Sequence, residues 1–127
     1  MLAQSPAFSG FSVDDIVAAQ HFYGQTLGLA VSGANGMLRL HIPGNREILI
    51  YPRADHVPAT CTILNFPVDD IDAVVDELAV RGISMTRYDG MHQDDKGVLR
   101  GLSVGRGPDI AWFTDPAGNI LSVLQSD

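Results

Sequence analysis

The stretch FSVDDIVA, residues 11–18, returns as FPVDDIDA, residues 66–73, with six of eight positions identical at an offset of 55. In each copy a strand-like run of alternating apolar residues leads into an aspartate pair and then into helical periodicity. Asp14/Asp15 and Asp69/Asp70 supply side-chain oxygens for the unbonded N–H groups of a first helical turn, and their charge suits the positive end of the helix dipole. The repeat therefore predicts two modules of the same design.

Working outward, the first helix should span 16–27 with Ile16, Ala19, Tyr23 and Leu27 on its inner side and Gly28 as a left-handed cap. The second should span 71–81, turning Ile71, Val74, Val75 and Leu78 inward and ending at Gly82. After the first helix, a strand at 29–32 runs through Gly33-Ala34-Asn35-Gly36, a hairpin signal, into a strand at 37–42. Pro43-Gly44-Asn45 turns the chain into a strand at 47–51. Residues 52–58 link the halves. The second half reads as strands at 60–66, 83–88, 110–114 and 120–125, the last two joined by 115–119. Residues 89–107 contain five glycines and many polar residues, and a long loop of that kind is expected to be a lid or cover. The pattern is an α+β fold of two βαβββ modules, about 7–53 and about 59–126, in one domain spanning 1–127.

Composition narrows the function. At 127 residues, 46% hydrophobic and 18% charged, the chain has ordinary globular composition and enough length to bury a core. A net charge of −7 argues against a nucleic-acid partner, which needs a Lys/Arg-rich face. No apolar run reaches membrane-spanning length and residues 1–6 carry no signal-peptide pattern, so no membrane partner and a cytoplasmic location are expected. Cys61 is the only cysteine. It excludes an intramolecular disulfide and a thiolate cluster, and its apolar setting predicts core packing.

DPAGNILSVLQ, residues 115–125, and the first-half pattern of FYG at 22–24 followed by Leu27-Gly28-Leu29 resemble the vicinal oxygen chelate superfamily, the glyoxalase, bleomycin-resistance and ring-cleaving dioxygenase proteins. The resemblance runs from about Phe8 to Gln125. It implies that the strands of the two modules curl around a central cleft. In the enzymes of that superfamily the cleft holds a divalent metal on His, Gln or Glu from the first and last strands of each module. Those positions fall here at Phe8, Leu49, Ile63 and Ser122, with Glu47 the alternative to Leu49. Phenylalanine, leucine and isoleucine have no donor, and a neutral serine hydroxyl is a weak one. The expectation is a member without metal or other cofactor.

Strand alternation then selects the lining. Phe8, Gly10 and Ser12 face one way with Met37, Arg39 and His41 and with Glu47, Leu49 and Tyr51. Ile63, Asn65 and Pro67 do so with Ser122 and Leu124. Trp112 and Thr114 match superfamily positions that touch substrate. The expected ligand-binding set is Phe8, Arg39, His41, Tyr51, Asn65, Trp112 and Ser122, suited to a small aromatic or apolar molecule, with Arg39 available to an anionic group. His41 and Glu47 are the candidate acid–base pair, or else a structural pair with Arg39. Lys96, Arg100 and Arg106 on the long loop would close over an anion or lie in solvent; His92, Asp94 and Asp95 offer a weak metal pattern.

Two functions stay open: metal-free binding of a small molecule, as in drug or metabolite sequestration, and a glyoxalase-like isomerase or lyase or a dioxygenase-related enzyme using a cleft His or Glu or an unrecognised metal site. A homodimer is expected, since superfamily members usually pair and open sheets have edges to cover.

Overall fold

The computed structural model describes residues 1–127. The chain forms two compact units, 1–58 and 59–127. In the first, β1 (Ser9–Val13) leads into α1 (Ile16–His21), followed by β2 (Ala30–Ala34), β3 (Met37–Ile42) and β4 (Arg46–Pro52). In the second, β5 (Thr62–Pro67) and α2 (Ile71–Val80) are followed by β6 (Leu99–Arg100), β7 (Asp109–Thr114) and β8 (Ile120–Gln125). The sheet orders are β1-β4-β3-β2 and β5-β8-β7-β6. In both, the first and last strands of the module pair in parallel and the other pairs are antiparallel. Both modules are thus βαβββ units with the same strand connections.

The second aspartate of each pair does the work its position implies. The Asp15 carboxylate accepts the N–H groups of Val17 and Ala18, and Asp70 accepts that of Ala73. Gly28 and Gly82 take φ of 74° and 83° just beyond the helices, as left-handed caps require. The first helix departs from its expected regularity. After His21 it widens into a π-helical turn over Phe22–Thr26, closed by the Leu27 N–H on the Phe22 carbonyl. That turn carries Phe22 and Tyr23 into the core, and Tyr23 is fully buried with its ring against Phe11 and Phe22. Asn35 and Gly36 adopt φ of 57° and 76°, the two-residue hairpin turn that Asn-Gly favours.

Burial follows the strand alternation. Val13, Leu38, Leu40, Ile48 and Ile50 form the core of the first module; Ile71, Val75, Leu78, Ala111, Phe113, Leu121 and Val123 form that of the second. The Asp115 carboxylate is buried and accepts the N–H groups of Ala117 and Asn119 and the Asn119 amide. The DPAGN motif is therefore a turn built around one carboxylate.

Three expectations fail in instructive ways. Residues 83–88 do not form a strand. They make one ladder-like bond, Thr86 N–H to the Trp112 carbonyl, while the Gln93 side chain accepts the Tyr88 N–H and donates to the Thr86 and Gly97 carbonyls. A glutamine amide takes the place of a strand partner, and the strand beside β7 is the two-residue β6. Secondly, 89–107 is a built segment and not an open cover. Val98 is fully buried, and the Asp94 carboxylate accepts the N–H groups of Lys96 and Val98. At Gly101 a Cβ would stand 2.5 Å from the Pro108 carbonyl oxygen, so only glycine fits. Thirdly, Cys61 is exposed, because it lies at a bend just before β5, outside the alternation that would bury it. No helix is long and apolar enough to cross a membrane.

Candidate functional site

The faces opposite the helices carry the polar and aromatic side chains singled out above. In the first module the register places His41 opposite Glu47, Arg39 opposite Leu49, Ser32 opposite Arg39 and Ser12 opposite Tyr51. Residues opposite one another share a face, so Ser12, Ser32, Arg39, His41, Glu47, Leu49 and Tyr51 stand together. Arg39 Nη1 donates to Glu47 Oε2 at 3.2 Å, and His41 Nδ1 lies 3.5 Å from Glu47 Oε1. The His41 Nε2 is 2.7 Å from Ser32 Oγ. The Arg39 guanidinium sits over the Phe8 ring, 5.8 Å from its centroid, a cation–π distance. Each of these side chains keeps substantial exposure, with Arg39, His41 and Glu47 at 46%, 41% and 44%. Ser32, Ala34, Asn35, Met37, Arg39 and Leu49 line a hollow of about 80 Å3. His56 of the linker is held by Ser12 Oγ at 2.6 Å.

In the second module Ser122 pairs across the ladders with Asn65 on one side and Trp112 on the other. Ser122 is fully buried and its hydroxyl donates to Asn65 Oδ1. Trp112 Nε1 donates to Thr62 Oγ1 at 3.1 Å, and the ring meets Tyr88 edge-on at 5.6 Å. A register shift between Thr62 and Leu64 breaks the simple alternation around Ile63; Thr62 is the residue that reaches Trp112.

The structure thus gathers Phe8, Arg39, His41, Glu47 and Tyr51 on one face of the first module's sheet, and Asn65, Trp112 and Ser122 on one face of the second module's sheet. Sequence reasoning missed Ser32, Thr62 and Tyr88. Ser32 was within reach of it: a two-residue Asn35-Gly36 turn puts Ser32 opposite Arg39. Nothing in the local sequence announces the bulge that presents Thr62, or the glutamine bracket that holds the 83–88 segment carrying Tyr88.

Two of the three loop cations, Lys96 and Arg100, are committed elsewhere. Arg100 grips Asp72 with two bonds of 2.7 and 3.0 Å and also meets Asp94 at 2.9 Å and Asp109 at 3.5 Å. Lys96 reaches Asp72 at 3.2 Å and Asp76 at 3.1 Å. These pairs tie the 89–107 segment to α2, so Lys96 and Arg100 do not wait for an anionic ligand. The bonds from Arg100 and then Lys96 hold the Asp72 carboxyl down at about 2. At Asp94, burial pushes the other way, but the Val98 N–H, Arg100 and the Lys96 N–H outweigh it and the carboxyl is lowered.

The four positions to which the sequence resemblance assigns metal ligands do not fit a metal here. Phe8, Leu49 and Ile63 offer no donor, and the Ser122 hydroxyl is buried and spent on Asn65. Within neither module do three His, Cys, Asp or Glu side chains form a group that could hold a metal ion, His92, Asp94 and Asp95 included.

No protein-family model matches the sequence, and no curated protein matches it significantly. Solved structures do. A glyoxalase family protein from Enterococcus faecalis superposes with a TM-score of 0.68 at 22% identity, over 98% of this chain and 99% of that one. An antibiotic-binding protein from a Streptomyces species gives 0.66 at 22% identity, over 98% of each chain. A fosfomycin resistance protein from Listeria monocytogenes gives 0.69 at 12% identity, over 98% and 94%. The chain has the glyoxalase/bleomycin-resistance-like fold, the paired-module α+β fold of the vicinal oxygen chelate superfamily.

Proposed function

We propose that the chain binds a small organic molecule with an aromatic or apolar body, without a metal or other cofactor, and serves to sequester a drug or metabolite. The observation that carries this reading is the donor chemistry at Phe8, Leu49, Ile63 and Ser122, which suits no transition metal. The second module offers an aromatic wall of Trp112 and Tyr88 with the Asn65 amide on the same sheet, and the first module, by itself, offers the Phe8 ring under Arg39 with Arg39 and His41 to orient a polar group. Apolar surface with sparse, fixed polar groups is what small-molecule sites use. Tyr51 joins this set by its position opposite Ser12. An antibiotic-binding protein and a fosfomycin resistance protein share the fold, which fits sequestration. The test is a titration of the chain with a panel of aromatic and anionic compounds, followed by the fluorescence of its only tryptophan, Trp112. A saturable change supports binding, and a flat response across the panel contradicts it.

The contact between His41 and Glu47 favours a second reading, a glyoxalase-like isomerase or lyase or dioxygenase-related enzyme in which that pair moves a proton. For assembly and location we propose a cytoplasmic homodimer, since the outer strands of each sheet offer edges to cover. Light scattering at working concentration should return twice the 13.6 kDa chain mass; the mass of one chain would contradict pairing.

A further inference from the structure

We propose that Ser32, His41 and Glu47 form an acyl-transfer site that hydrolyses short-chain carboxylic esters. This goes beyond small-molecule binding and stands on the geometry of the first module alone. The three side chains form a line across β2, β3 and β4: Ser32 Oγ 2.7 Å from His41 Nε2, and His41 Nδ1 3.5 Å from Glu47 Oε1. A nucleophile against a base that is oriented by a third group is recognised by geometry and not by chain order. Glu47 on the Nδ1 side favours the tautomer with its proton there, leaving the Nε2 lone pair facing the serine hydroxyl. Arg39 holds the other carboxylate oxygen at 3.2 Å, which fixes Glu47 in place; Glu47 and Arg39 are positioning residues in this respect.

The hollow beside the serine supplies the rest. Ser32 and Arg39 are opposite one another in the ladder and both line the cavity of about 80 Å3, a space for an acyl group of a few carbons. The guanidinium has N–H donors beyond the one given to Glu47, and Asn35, with its own N–H groups, lines the same hollow. These are the donors for a developing oxyanion. In the first half-reaction Ser32 Oγ bonds to the ester carbonyl carbon and its proton passes to His41 Nε2. The bond from that carbon to the alcohol oxygen then breaks, and the alcohol leaves with the proton. Water next gives a proton to Nε2 and attacks the acyl carbon. The bond to Oγ breaks, the acid leaves and Ser32 regains its proton. The sum is ester plus water to acid plus alcohol.

The test uses the full chain with a fluorophosphonate and, separately, p-nitrophenyl acetate. Intact-mass and peptide mapping should show one phosphonyl adduct per chain, on Ser32, and ester hydrolysis should saturate. Ser32→Ala should remove both. His41→Gln should slow both by roughly 10²-fold or more, the usual worth of a positioned base. Glu47→Gln should slow them less while shifting the His41 tautomer signals in 15N imidazole spectra. All three positions are exposed, so the variants keep the core, and matching circular dichroism confirms it. Absence of an adduct on Ser32, labelling at the same rate in His41→Gln, or unchanged hydrolysis in Ser32→Ala would each overturn the proposal.

Discussion

Replacing Arg100 with alanine should destabilise the second module by about 2–4 kcal/mol, somewhat below the roughly 3–5 kcal/mol for breaking a fully buried ion pair from one side. The discount follows from exposure, since the Arg100 side chain is 32% exposed while Asp94 and Asp109 are 28% and 13% exposed. It also follows from the backbone N–H groups that both carboxylates keep, those of Lys96 and Val98 for Asp94 and that of Leu102 for Asp109. Hydrogen exchange should rise through 89–107, because this residue ties the segment to Asp72 on α2 and to Asp109 on β7. Arg100→Lys should recover little, as a single ammonium cannot bridge three carboxylates. The pH dependence has a defined sign. A carboxyl whose folded value lies below its ordinary 3.8 contributes stability above that value and loses it as pH falls through the folded one, about 2 for Asp72. The Asp72 midpoint in carboxyl NMR should therefore sit near 2 in the native chain and climb towards 3.8 in Arg100→Ala. A loss under about 1 kcal/mol with unchanged exchange would show that the segment is held by its packing alone.

The second large effect concerns the ligand. Trp112→Ala should weaken an aromatic ligand by about 30-fold or more, measured by calorimetry, as expected when a central aromatic contact worth roughly 2 kcal/mol is lost. Trp112→Phe keeps a ring but removes the N–H to Thr62, and should retain much of the affinity. Arg39→Ala should weaken anionic ligands more than neutral ones, because it removes a fixed charge and leaves the apolar surfaces standing. If Trp112→Ala lowers thermal stability while every ligand binds as before, the ring only packs against Tyr88 and does not meet a ligand.

The parts of the fold that were legible in the sequence are those with local, periodic causes. The duplicated Asp pairs marked both helix starts, and Asn35-Gly36 marked the hairpin. Alternation put Arg39, His41, Glu47 and Tyr51 on one face, and the structure buries Leu38, Leu40, Ile48 and Ile50 on the opposite one. What stayed hidden depends on side chains acting over distance. The Gln93 amide stands in for a strand beside 83–88, Arg100 and Lys96 find partners on α2, and the bulge after Thr62 resets which residue meets Trp112. Cys61 shows the same limit from the other side, since an apolar neighbourhood in sequence became a surface bend once the strand began at Thr62, two residues later than expected. Ser32 is the intermediate case, set by the hairpin turn, but visible as a partner of His41 only through the geometry.

The most direct test of metal-free binding is elemental analysis of the purified chain, together with a ligand titration before and after chelation. The donor chemistry at Phe8, Leu49, Ile63 and Ser122 predicts no stoichiometric Zn, Ni, Mn or Fe and an affinity that a chelator leaves unchanged. One tightly held metal ion per chain, whose removal abolishes ligand binding, would contradict it.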